Sequence, residues 1–155
     1  MTILDPNMPT VAGAWRCMIS HQFTGMDLQA QAVRTKLLMD ALPYSVGQVF
    51  CSMEHEEFLK SKYGENTEGI YCWCLEQQGM CDSVVFLITP GPESTGMKKE
   101  LALAIKRKQK IIVCLHSGME KESWVRPFLR ASDFVLGWTE DEDLNALGYV
   151  SSDYF

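Results

Sequence analysis

Apolar residues along this chain fall into five short runs, separated by longer segments in which they recur at helical spacing. The clearest runs are 84–88, which reads Val84, Val85, Phe86, Leu87 and Ile88, and 111–115. Both are continuously apolar and rich in β-branched residues, the pattern of strands covered on both faces. Residues 15–20 (WRCMIS) form a third run, 46–51 (VGQVFC) a fourth that Gly47 weakens, and 134–137 a short fifth. Between them the spacing predicts helices over 26–42, 68–78, 97–107 and 140–147, with a helical piece over 124–129 broken by Pro127. In the first helix Leu28, Ala32, Thr35 and Met39 share a face, and Pro43 marks the stop. In the helix 97–107, Met97, Leu101, Ala104 and Ile105 make the buried stripe. A charged stretch running through Ser61 to Gly64 carries helical pieces without sharp bounds. Residues 1–14, with Pro6, Pro9 and Gly13, read as an irregular lead-in to a single domain spanning 15–155.

Strand and helix alternate five times, with connections too long for hairpins. Parallel strands with helices on both faces follow from that alternation. Right-handed crossovers then predict an α/β fold: a flavodoxin-like, doubly wound, five-stranded parallel sheet of order 2-1-3-4-5. Ligands of such sheets sit beyond the carboxyl ends of the strands, where the strand order reverses. Here that crevice lies between the first and third strands, bordered by the loops 21–25 and 89–96.

Charge and cysteine content narrow the classes further. A net charge of −6 argues against general nucleic-acid or anionic-membrane binding, since both need a cationic surface. No apolar stretch approaches the length of a membrane span and no secretory signal is visible, so a cytoplasmic location is expected. Four of the six cysteines (Cys17, Cys51, Cys81, Cys114) lie in or beside strand-like or buried-looking segments, as free cytosolic thiols do. Cys72, Cys74 and Cys81 lack the paired spacing of a zinc site and the histidines are scattered, so no metal is expected. Lys98, Lys99, Lys106, Arg107, Lys108 and Lys110 cluster on and after one helix, and 140–143 is an acidic run. Solvated faces explain both most simply; weak head-to-tail self-association is the sharper alternative.

Chemistry centres on Glu100. It falls in the first turn of the helix 97–107, at the edge of the buried stripe, and should border the crevice. A carboxylate there can hydrogen-bond sugar hydroxyls, stabilise a developing oxocarbenium ion, or attack an anomeric carbon. An acid in a first helical turn also simply opposes the macrodipole and caps free N–H groups. Position alone leaves both roles open.

Several motifs in order favour the first. Ile19-Ser20-His21 followed by Asp27, then Val49-Phe50-Cys51-Ser52, then Asp82 through Pro90, and finally Ser94-Thr95-Gly96-Met97-Lys98-Lys99-Glu100-Leu101 together resemble a Toll/interleukin-1 receptor (TIR) domain. The resemblance runs from about Trp15 to Leu115. It implies a flavodoxin-like fold and, in the enzymatic branch, cleavage of the nicotinamide–ribose bond of NAD to ADP-ribose or cyclic signals. NAD is then the substrate and no separate cofactor is needed. Glu100 would be the catalytic carboxylate, and Ser20, His21, Gln22 and Phe23 would line the nucleotide pocket beside Ser94 and Gly96. Phe23 would stack on a ring and Gln22 would hydrogen-bond. The chain departs from the family at Gly96, where tryptophan is usual, and at Met97, where cysteine is common.

Those departures point to a second resemblance. Nucleoside 2-deoxyribosyltransferases carry a glycine four residues before a nucleophilic glutamate, as Gly96 precedes Glu100, and an acidic residue before their third strand, as Asp82 does here. A third possibility is a TIR-like protein-interaction module in which Glu100 only caps its helix. The first two share one chemistry, scission of an N-glycosidic bond in a nucleotide or nucleoside.

Overall fold

The structure is a computed structural model, and it describes residues 15–42 and 48–146. The lead-in 1–14, the helix stop at Pro43, the strand residues Val46 and Gly47, and Leu147 of the last helix lie outside the described residues. Five strands, β1 (Trp15–His21), β2 (Gln48–Cys51), β3 (Ser83–Ile88), β4 (Lys110–His116) and β5 (Phe134–Trp138), form one sheet in the order β2-β1-β3-β4-β5. Every neighbouring pair is parallel. The expected flavodoxin-like sheet is therefore the observed one, with β3 at its centre and buried along its whole length.

Alternation along the strands divides the core into two layers. Met18, Phe50, Val84, Phe86, Ile88 and Val113 face one side. There they meet α2 (Glu56–Tyr63), α3 (Thr67–Gln78), α4 (Thr95–Lys106) and α5 (Arg126–Ala131) through Phe58, Trp73, Met97 and Phe128. Cys17, Ile19, Val85, Leu87, Ile112 and Cys114 face the other, against α1 (Leu28–Ala41) and α6 (Asp141–Ala146). Phe86 and Phe128 meet edge to face at 5.2 Å, a favoured aromatic geometry. Among the described residues, no helix is long and apolar enough to cross a membrane.

Several local expectations are corrected. The helix α1 starts after an Asp27 cap, whose carboxylate accepts from the N–H groups of Gln29 and Ala30. Its buried face is Gln31, Thr35, Leu38 and Ala41; Leu28 and Ala32 are exposed. A polar residue turns inward because Gln31 Nε2 donates to the Gln22 carbonyl at 2.9 Å. Ile105 is not part of the α4 stripe, being 54% exposed. Pro127 opens α5 rather than breaking a helix, since its missing N–H is an orphan in a first turn. The charged stretch resolves into a 3-10 turn, Ser52–His55, followed directly by α2.

Candidate functional site

Beyond the carboxyl ends of β1 and β3 lies a cavity of about 630 Å³. Phe23, Thr24 and Gly25 form one rim and Pro92 to Thr95 the other, while α3 contributes Ile70, Tyr71 and Cys74. Gly96, Met97 and Glu100 line it from α4. This is the crevice that the strand order places there. A slightly larger cleft of about 730 Å³, between Lys108 and Lys110, Pro127 and Arg130, is open and sits where β4 begins. None of its residues has a buried side-chain atom without a partner, so the smaller cavity is the better candidate.

Glu100 is displaced from its expected place in the helix. Ser94 caps α4, its Oγ accepting from the Met97 N–H at 3.2 Å, so the helix begins at Thr95. Glu100 is thus its sixth residue, in the second turn, and the first turn holds no acid. Macrodipole stabilisation fades beyond the first turn, so the capping role loses its basis. Its Oε2 is buried with no hydrogen-bond partner. Burial pushes the carboxyl up from 4.5 to about 7, and the neighbouring Ser20 hydroxyl offsets part of that rise. Ser20 Oγ also lacks a well-formed hydrogen bond, so the two groups are neighbours without a complete bridge. A buried polar atom left unpaired costs free energy, and such atoms concentrate where a ligand or a reaction uses them.

The surroundings hold Glu100 in place. Gln78 donates from Nε2 to the Glu100 backbone carbonyl at 2.8 Å and to Gln109 Oε1 at 3.0 Å. Gln109 in turn donates to the carbonyls of Gln78 and Cys81, both at 2.8 Å. Two buried amides therefore tie α3, α4 and the approach to β3 together. Cys74, also on the cavity wall, has its thiol pushed up by burial and by the nearby Glu100, so it is no thiolate nucleophile at neutral pH.

The other expected site residues separate into three groups. Phe23, Ser94 and Gly96 line the cavity with Glu100, Phe23 being 44% exposed. His21 also lines it, but as the last residue of β1 rather than as a loop residue, level with Leu87. Its Nδ1 lies 2.8 Å from the Gln22 carbonyl, which can only accept, so Nδ1 carries the proton. Nε2 remains an acceptor, buried and unpartnered, and burial holds the imidazole pKa below its usual value. Ser20, buried beside Glu100, does not line the cavity, and neither does Gln22. Its amide is spent between the loops: Oε1 accepts from the Thr89 N–H at 2.9 Å, and Nε2 donates to the carbonyls of Thr89 and Pro92. Asp82 is placed elsewhere altogether. It precedes β3, at the opposite end of the strand from the cavity, and forms an exposed ion pair with Arg16 at 3.0 Å.

Tyr71, Ile70 and Cys74 were not foreseen as site residues. Ile70 and Cys74 stand four apart on a segment recognised as a helix, which marks a shared face; what that face meets is decided by packing. Compared with models of protein families the chain matches none, and among curated proteins nothing matches it.

Proposed function

We propose that this chain is a TIR-like enzyme that breaks the nicotinamide–ribose N-glycosidic bond of NAD, with Glu100 as the catalytic carboxylate. The observation that carries this reading is the acid itself: a carboxyl raised to about 7, with one oxygen buried and unpartnered, beside a cavity at the point where strand order reverses. No capping or ion-pairing role accounts for it.

The chemistry follows from charge. A bound pyridinium is a cation, and an opposite charge nearby returns a raised carboxyl to its ionised form. Substrate binding thereby creates the carboxylate that the reaction needs. The bond between the ribose anomeric carbon and the ring nitrogen breaks, and its electron pair leaves with neutral nicotinamide. Positive charge moves onto the sugar, where Glu100 stabilises it more than it stabilises the ground state. Water then adds to the anomeric carbon and releases its proton, giving ADP-ribose; attack by a nucleophile of the same nucleotide gives a cyclic product instead.

Transfer of a 2-deoxyribosyl group is the second reading. The four-residue spacing from Gly96 to Glu100, with both on the cavity wall, favours it. The position of Asp82 counts against it, as does the substrate's lack of a cation to ionise Glu100. The test is to incubate the protein with NAD and, separately, with deoxynucleosides, and identify products by mass spectrometry. Glu100→Gln should lower turnover by a factor of about 10²–10³, the usual effect of removing one electrostatic catalytic group. Unchanged turnover in the variant would refute the role of Glu100, and no turnover of either substrate by the parent would leave an interaction module in place.

A further inference from the structure

We propose that Tyr71, packed against Gly96 at the wall of the cavity, is the platform on which the aromatic base of the substrate stacks, and that Gly96 is glycine to make room for it. This rests on the N-glycosidase reading of the site, and deepens it by naming the residue that selects a planar heterocycle.

The ring is held by two contacts, with Gly96 and with Lys99. It projects from α3 into the cavity wall and is half-buried. A Cβ at Gly96 would lie 3.7 Å from Tyr71 Cδ1, an ordinary contact, and 3.2 Å from Cε1, shorter than the ordinary carbon–carbon separation of about 3.5–4.0 Å. The edge of the ring therefore lies close over the bare backbone of α4, and a Cβ at 96 would press it outward by a few tenths of an ångström. Lys99 Nζ stands 4.7 Å over the ring centroid, a cation–π contact, and pairs with the Glu68 carboxylate at 3.4 Å. That pairing balances the lysine charge, so the platform does not carry an uncompensated cation toward a cationic substrate.

Spacing then links the platform to the reacting acid. Gly96 and Glu100 are four residues apart on one face of α4, separated by about 6 Å along the axis. A base stacked on the cavity side of Tyr71 would then lie within about one helical turn of Glu100, since both residues line the cavity. The rival aromatic, Phe23, sits on an exposed loop rather than on a helix, with its ring 6.5 Å from that of His21. A fixed ring stacks a ligand at less entropic cost than one that must first be ordered.

The experiment measures binding of free nicotinamide, free adenine and NAD by saturation-transfer NMR and equilibrium dialysis. It compares the full chain with Tyr71→Phe, Tyr71→Leu, Gly96→Ala, Phe23→Ala and Glu100→Gln. Tyr71→Phe should bind within about two-fold of the parent. Tyr71→Leu should bind the bases at least about ten-fold more weakly, as expected for loss of one base–aromatic stack. Gly96→Ala should weaken base binding by a smaller factor than Tyr71→Leu, without a lower melting temperature, because alanine is the better helix former. In turnover of NAD, Tyr71→Leu should raise KM far more than it lowers kcat, the mark of uniform binding. Equal binding by Tyr71→Leu and the parent, a loss confined to Phe23→Ala, or no base binding by the parent at millimolar concentration would each overturn the platform. Base binding that depends on Tyr71 in a protein that leaves NAD intact would keep the platform and refute the NAD reaction. Glu100-dependent turnover with unchanged Tyr71→Leu binding would do the reverse.

Discussion

Replacing Glu100 with Gln exchanges a group whose charge is opposed by burial for one that is neutral at every pH. Folded, Glu100 holds its proton to about pH 7; its ordinary value is 4.5. Between these values the folded protein binds more protons than the unfolded chain, so this residue's contribution to stability falls as pH rises. Below 4.5 the carboxyl is neutral in both states, and above 7 it is charged in both, so the loss levels off. The span from 4.5 to about 7, at about 1.4 kcal/mol per pH unit, sets a ceiling of about 3.5 kcal/mol. Glu100 is only partly buried as a residue and water screens its charge, so about 1–2 kcal/mol is the expected size. At about 2–4 °C per kcal/mol for a chain of this length, the variant should gain about 2–8 °C on the parent between pH 4.5 and pH 8. The cost of seating the Gln amide is the same at every pH and appears as a constant offset. His21, whose pKa burial lowers, titrates in both proteins and cancels in the difference. Urea titrations and thermal melts of both proteins at half-unit pH steps would measure it. Parallel stability curves across this window would refute the argument, and with it the claim that the protein opposes the charge on Glu100.

Gln22→Leu should destabilise by about 2–4 kcal/mol in urea unfolding, because it strands the buried N–H and carbonyl of Thr89. Gly25→Ala should cost about 1–2 kcal/mol by the same measurement: φ is +81° there, and the new Cβ would meet Pro92 Cγ at 3.0 Å. Asp82→Asn should change stability by less than about 1 kcal/mol, since the pair with Arg16 is exposed, and should leave product formation from NAD unchanged. Phe128→Ala should cost about 3–5 kcal/mol, read from denaturant midpoints, as it empties a site packed against Phe86.

The architecture was legible because it rests on local regularities. A continuous apolar run such as Val84 to Ile88 has one economical place, the middle of a sheet covered twice, and the connections between runs are too long for antiparallel pairing. Parallel strands and right-handed crossovers then leave little choice of order, and the crevice follows from the order. Glu100, His21, Phe23, Ser94 and Gly96 were placed beside that crevice by the same reasoning, and the cavity contains them all.

What the sequence pattern misjudged was settled in one case by a local cap and in the others by partners farther along the chain. The start of α4 turned on whether the Ser94 hydroxyl reached the Met97 N–H, and those two residues of extra helix moved Glu100 from the first turn to the second. The inward face of α1 turned on a bond between Gln31 and the end of β1, which made a glutamine a core residue. Gln22 looked free to meet a ligand, yet its amide answers the backbone of Thr89 and Pro92, about seventy residues away. Tyr71 and Gly96 are twenty-five positions apart and carry no shared motif; the packing of α3 on α4 brings them into contact. Periodicity and capping reach only a few residues along a chain, so they determine which elements form and which way each strand runs. The acidity of Glu100 and the wall opposite it depend on which helices cover that carboxylate, and only the closed tertiary structure decides how much water is left around it.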